Sequence, residues 1–262
     1  MKELSIIIPT YKNTQYLNEC FFSLIKSIKD RDVEILVGID ACLTTLKFIK
    51  DNLFDNRIKF FFFKKNQGPY IIRNTLSKIS NSENILFFDS DDIMCENMID
   101  LIIEDLKTNL VVKPSYIEFN DGKEIDVKSK LIRSEGVFAI NRDLLLNFNG
   151  FEPWVCAADT ELSLRLLNKG IGFKFIDEIL FYRRLHKNGL TSRLDTGSNS
   201  ELRSKYNDII LTKKDRGPLN QLHTEKFILI DEVIESNVQE INDLFIEKQK
   251  NKGIIDKIFG KT

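Results

Sequence analysis

Through its first hundred residues the chain alternates short β-rich apolar runs with helix-spaced stretches, and this alternation restricts the fold more than any other feature. LSIIIP (4–9) reads as a strand stopped by Pro9. Tyr16, Leu17, Cys20, Phe21, Leu24, Ile25 and Ile28 then recur at helical spacing, an apolar stripe two residues wide. VEILVGID (33–40) is a second strand, 43–54 a shorter helix, and RIKFFFF (57–63) a third strand. A third helix runs from Pro69 to about Ser80. It starts on a proline, whose missing N–H is one the first turn leaves unpaired anyway. NILFFD (84–89) and a helix over 95–108 complete the series. Alternation of this kind predicts a parallel sheet with right-handed crossovers, whose ligands bind beyond the carboxyl ends of the strands. Those ends carry Thr10 and Tyr11, Asp40, Asn66 to Gly68, and the cluster Asp89, Asp91 and Asp92.

After residue 110 the pattern changes. VVKPSYIEF, an Asp121–Gly122 turn and KEIDVKS predict a hairpin. GVFAI (136–140) is a strand, Arg142 to Asn147 a short helix, and Ala158 to Lys169 a helix closed by Gly170. Two strands are expected at 172–177 and 179–183. The polar stretch SRLDTGSNS (192–200) reads as a linker to a helical extension over 201–262.

Composition narrows the function. With 42% hydrophobic residues in 262, the chain can bury a sizeable core, while a net charge of −1 provides no basic field for nucleic acid. Neither GxGxxG nor GxxxxGK[ST] follows a strand, which argues against dinucleotide-dependent and P-loop enzymes. Cys20, Cys42, Cys95 and Cys156 are dispersed without a CxxC pair and are expected as reduced thiols. The apolar run before Pro9 is too short for a signal-peptide core, and no stretch approaches the roughly 20 apolar residues of a membrane span, so a cytoplasmic protein is expected.

Three carboxylates at the end of an apolar run need a counter-charge. Hard cations such as Mg²⁺ or Mn²⁺ take one or two carboxylates plus substrate phosphates, and the D-x-D arrangement of Asp89 and Asp91 suits that division. The simpler reading is a solvated loop capping the next helix. Taken together, IIIPTY, Asp40 at the end of the second strand, NQGPYIIRN, FFDSDD, and GF followed by a carboxylate-bearing helix resemble the family 2 inverting glycosyltransferases of the GT-A fold. The resemblance spans residues 4–190.

It implies a catalytic domain over 1–191, with a donor-nucleotide half (1–110) and an acceptor half (111–191). It also implies a nucleotide-diphosphate-sugar donor, Mn²⁺ or Mg²⁺, and transfer to a hydroxyl of a glycan or glycolipid, in surface polysaccharide synthesis. Thr10, Tyr11, Asp40, Gly68, Arg73, Asp89 and Arg183 would bind the donor, with Arg184 an alternative to Arg183 at the phosphates. Asp91 would be the direct metal ligand, with Asp89 beside it and His186 reaching the metal or the diphosphate. Trp154 resembles an acceptor platform. GIDACLTT departs from the family's second acid and Gly-Ser after Asp40, which leaves the nucleotide base open.

Inversion needs a carboxylate that removes the acceptor hydroxyl's proton during attack on the anomeric carbon. In CAADTELSLRLL the family's Glu-Asp pair is reduced to Ala158-Asp159. Asp159 is therefore expected as the base, with Glu161 as the alternative. Two other readings stand beside this one. One is a sugar-nucleotide-binding or glycan-binding domain that has lost its base. The other is an aspartyl-phosphate phosphatase with Asp89 as nucleophile, although that loop normally follows the first strand rather than the fourth. In the tail, Phe227, Ile230, Ile234, Ile241 and Leu244 follow a heptad spacing with Asn237 in the seam, for packing on the catalytic domain or for homodimerisation. KGIIDKIFGKT alternates apolar pairs with lysines, a pattern suited to peripheral contact with an anionic membrane face.

Overall fold

The structure, a computed structural model, describes residues 1–212 and 221–230. The first half follows the predicted alternation: β1 (Leu4–Thr10), α1 (Thr14–Ile28), β2 (Val33–Asp40), α2 (Leu43–Lys50), β3 (Ile58–Phe63), α3 (Pro69–Ile79) and β4 (Asn84–Phe87). Then come β5 (Ile93–Met94), α4 (Met98–Leu106), β6 (Val111–Asn120), β7 (Ile132–Arg133), β8 (Phe138–Asn141), α5 (Arg142–Asn147), α6 (Ala158–Asn168), β9 (Lys174–Leu185), α7 (Glu201–Thr212) and β10 (Phe227–Leu229).

All the strands join one sheet in the order β10-β3-β2-β1-β4-β8-β6-β9-β5, with β7 also paired to β6. From β3 to β4 the pairing is parallel, which puts Thr10, Asp40 and the residues after Phe63 and Phe87 at one edge. Beyond β4 the sheet is mixed: β8 runs antiparallel to β4 and β6, while β9 runs parallel to β6. Side chains alternate across the sheet. Ile6, Ile8 and Val37 pack beneath α1, α2 and α4; Ile7, Leu36 and Phe87 face α3, α5 and α6. Pro9 does not stop β1, which continues to Thr10. The missing N–H is tolerated because the β1–β4 ladder has already ended at Ile7↔Phe87.

Several elements differ from expectation. α2 ends at Lys50 rather than 54, where the Asn52 side-chain amide donates to the Phe48 carbonyl at 2.7 Å and closes the helix. KEIDVKS forms no strand. Its Val127 is exposed and has nothing to bury, and Ile132–Arg133 pairs with Tyr116 and Ser115 instead. The two strands expected at 172–177 and 179–183 are one, β9. It pairs along most of β6 and loops out Asp177 and Glu178 opposite Pro114, which has no N–H for the ladder.

Residues 192–200 are a compact turn rather than a free linker: Thr196, Gly197 and Ser200 are buried, and Arg203 Nε donates to the Thr196 carbonyl at 2.9 Å. Phe227 belongs to a strand, not to a helical seam. β10 pairs antiparallel with β3, and Phe227 packs edge-on against Phe61 at 5.1 Å between ring centres. Ile234, Asn237, Ile241, Leu244 and KGIIDKIFGKT lie outside the described residues. Among the described residues no helix is long and apolar enough to cross a membrane.

Candidate functional site

The acidic turn after β4 is held from two sides. Asp92 is 3% exposed and accepts the Arg184 backbone N–H at 2.9 Å. Burial, and then the charges of Asp91 and Asp89, push its carboxyl well above the usual range. The Arg184 side chain donates to the Asp91 carbonyl at 3.0 Å, to Asp121 at 3.0 Å, and to Glu19. Arg184 is thus committed to fastening the turn onto β9. Arg183 is likewise engaged with the Tyr116 hydroxyl, Glu118 and the Thr191 hydroxyl, at 3.2, 3.0 and 2.8 Å.

Asp91 and His186 meet. Oδ2 of Asp91 lies 2.7 Å from His186 Nε2, while the other ring nitrogen, Nδ1, is buried without a hydrogen-bond partner. The imidazole leans on Tyr16, centre to centre 4.9 Å. The Tyr16 hydroxyl donates to Asp121, and with Arg184 it holds that carboxyl below the usual range. Among the described residues no three His, Cys, Asp or Glu side chains gather to hold a metal by themselves. The Asp91 carboxylate suits a hard cation such as Mn²⁺ or Mg²⁺, and phosphate oxygens would have to complete such a shell.

Of the residues expected at the donor, Thr10 is buried at the end of β1 and its hydroxyl has no partner, while Tyr11 is exposed beneath the Lys12 ammonium at 5.0 Å. Asp40 anchors the loop entering α3, accepting the backbone N–H groups of Gln67 at 2.8 Å and Gly68 at 3.0 Å. Gly68 precedes the helix at φ +82°, a conformation that L side chains rarely adopt.

α3 carries Arg73 into the interior. At 3% exposure, its guanidinium lies 5.5–5.7 Å from the ring centres of Phe87, Tyr70 and Phe151 and donates to Asp89 Oδ1 at 2.7 Å. Arg73 is thus a buried cation rather than one half of a surface salt bridge.

The base candidates separate at the start of α6. The left-handed Ala157, φ +64°, turns the chain into the helix. Asp159 is partly exposed, and its Oδ1 accepts the Tyr70 hydroxyl and the Thr160 N–H, both at 3.0 Å. Glu161 is bound bidentately by Arg165, at 2.8 and 2.7 Å. Trp154 is buried and stacks face to face on Tyr206 of α7, 4.4 Å between ring centres. Sequence reasoning missed Tyr70. Its signal was the spacing to Arg73, one helical turn on within NQGPYIIRN, which puts both on one face.

The family model for glycosyl transferase family 2 matches residues 5–164. Poly(ribitol-phosphate) beta-N-acetylglucosaminyltransferase TarP of Staphylococcus aureus is 32% identical over 105 residues, 38% of this chain and 32% of TarP. Glycosyltransferase GlyG of Streptococcus pneumoniae is 29% identical over 126 residues, 46% of this chain and 42% of GlyG. The chain thus spans less than half the length of either relative. The solved structure of S. aureus TarS 1-349 in complex with UDP-GlcNAc has a TM-score of 0.60 at 20% identity, covering 72% of this chain and 60% of that one, a likeness of fold.

Proposed function

The chain belongs to glycosyl transferase family 2, and on that premise we propose that it is a metal-dependent inverting glycosyltransferase. It moves a sugar from a nucleotide-diphosphate-sugar donor to a hydroxyl of a glycan or glycolipid acceptor, in surface polysaccharide synthesis. One observation carries the reading: Tyr70 and Arg73, one turn apart on α3, hold Asp159 on one side and Asp89 of the acidic turn on the other. A base and an acidic phosphate-facing turn are thereby tied to a single helix at the ligand edge of the sheet.

In the reaction, Asp159 takes the proton of the acceptor hydroxyl. The freed oxygen bonds to the anomeric carbon from the face opposite the leaving group. The bond from that carbon to the phosphate oxygen breaks, and its electron pair leaves with the nucleoside diphosphate. Asp91 and His186 would hold Mn²⁺ or Mg²⁺, which supplies positive charge to the departing diphosphate. Asp40 and Gly68 shape the nucleotide loop beside Thr10 and Tyr11, and the acceptor half places Asp159 and Trp154. Glu161 is spent on Arg165 and is not the base. A phosphatase nucleophile at Asp89 is disfavoured, since that carboxylate is the counter-ion of a buried arginine. A lipid-borne acceptor would put the protein at the inner face of a membrane.

TarS, an S. aureus glycosyltransferase, has been solved with UDP-GlcNAc, so that compound is the first donor to try, followed by GDP- and dTDP-sugars. A thermal shift that requires Mn²⁺ and disappears with EDTA or in Asp91→Ala is expected. Asp159→Asn should keep donor binding and lose transfer to acceptor or water. If no nucleotide diphosphate binds in the presence of metal, the proposal fails.

A further inference from the structure

We propose that Tyr70 is a positioning residue that assigns the two oxygens of Asp159 different tasks, and that Gly136 keeps open the approach to the oxygen that works. The inference rests on the transferase reading above. Oδ1 of Asp159 is already occupied by two donors, the Tyr70 hydroxyl and the Thr160 N–H, both at 3.0 Å. Oδ2 is left to take the proton from the acceptor hydroxyl as that oxygen bonds to the anomeric carbon. A Cβ placed on Gly136 would stand 3.0 Å from Oδ2 and, its two chain neighbours aside, no other heavy atom of the described residues lies within 4 Å of that Cβ position. Gly136 is not in the left-handed region, so its lack of a side chain answers to space beside Oδ2 rather than to backbone conformation.

The phenol is suited to a fixed donor role. Burial, and then the Asp159 charge, push its titration well above the ordinary tyrosine range, so it keeps its proton wherever the enzyme works. Its ring is held at 5.3 Å from Phe151 and beneath the Arg73 guanidinium, contacts that a phenylalanine would retain. A hydroxyl so held limits the carboxylate's rotation and leaves one oxygen facing the gap at Gly136. The groups facing this carboxylate are thus Tyr70 from α3 and the Thr160 N–H from its own helix, with Arg73 behind the phenol.

Two variants and one spectrum test the proposal. In Tyr70→Phe, turnover of the donor that stabilises the wild type should fall about tenfold, with donor KM within about twofold. In Gly136→Ala, turnover should fall about a hundredfold at unchanged donor affinity and unchanged melting temperature, the effect of a small misplacement at the reacting atom. By NMR of the ligand-free protein, the Tyr70 hydroxyl proton should be slowly exchanging and downfield, and should move upfield in Asp159→Asn. Full activity in both variants, a loss confined to KM, or a hydroxyl signal indifferent to Asp159→Asn would overturn the assignment while leaving the transferase reading intact. If the wild type binds no donor and turns none over, the transferase reading falls, and this one with it.

Discussion

Asp159 and Glu161 stand two residues apart at the start of α6, and their neighbours divide them. Arg165 is 2% exposed and also donates to the Gly150 carbonyl at 2.8 Å, so Glu161 is the counter-charge of a buried cation. Glu161→Gln should therefore act on stability: a loss of about 3 kcal/mol by chemical denaturation, with donor affinity retained in the folded protein. Part of this division was legible in the sequence, since Glu161 and Arg165 are an i,i+4 pair on a predicted helix. The partner that marks Asp159 was not. Tyr70 lies 89 residues away, and only the packing of α3 against the start of α6 brings the two together. Arg184 was illegible for a similar reason. Nothing in FYRRLH says which arginine faces Asp91 and Asp92 until the alternation of β9 and its bulge are known.

At the scale of elements, α3 organises the site, and its seat on the sheet is tight. A Cβ on Gly38 of β2 would fall 2.2 Å from Ile72 Cγ2, so the helix lies where only glycine fits beneath it. Gly38→Ala should cost about 1–3 kcal/mol by overpacking and should weaken donor binding as α3 lifts. Denaturation and donor titration on the same preparation check both. The period-two strands and the period-3.6 helices of the first half were readable because each buries a face that its own spacing defines. In sequence β9 reads as two strands because Asp177 and Glu178, which look like a turn, are a bulge opposite Pro114 of the neighbouring strand. KEIDVKS erred the other way: its alternation was real, but no surface stood opposite to reward it.

For the whole molecule, the parallel half of the sheet and its ligand edge followed from alternation, whereas the order β3-β2-β1-β4 and the return of the chain to β3 did not. β10 pairs along the outer side of β3, and Glu225 nearby accepts the Gln67 side-chain amide at 3.0 Å, beside the loop that Asp40 anchors. Three residues of strand are too short to stand out from a helical pattern with similar apolar spacing. Ending the chain after Thr212 should uncover the outer side of β3 with Phe61 and Phe63, leaving an unpaired strand edge in water. Static light scattering should then show association that the longer chain does not, with a lower melting temperature.

The stack between Trp154 and Tyr206 turns the protein into its own optical gauge. The chain contains a single tryptophan, so its indole emission has one source, and that source rests against one ring of α7. Any occupant that displaced Tyr206, or any departure of α7 from its seat, would change the colour and intensity of that emission without a label. Acceptor screening can accordingly be run by fluorescence in the presence of bound donor, before any product has been identified.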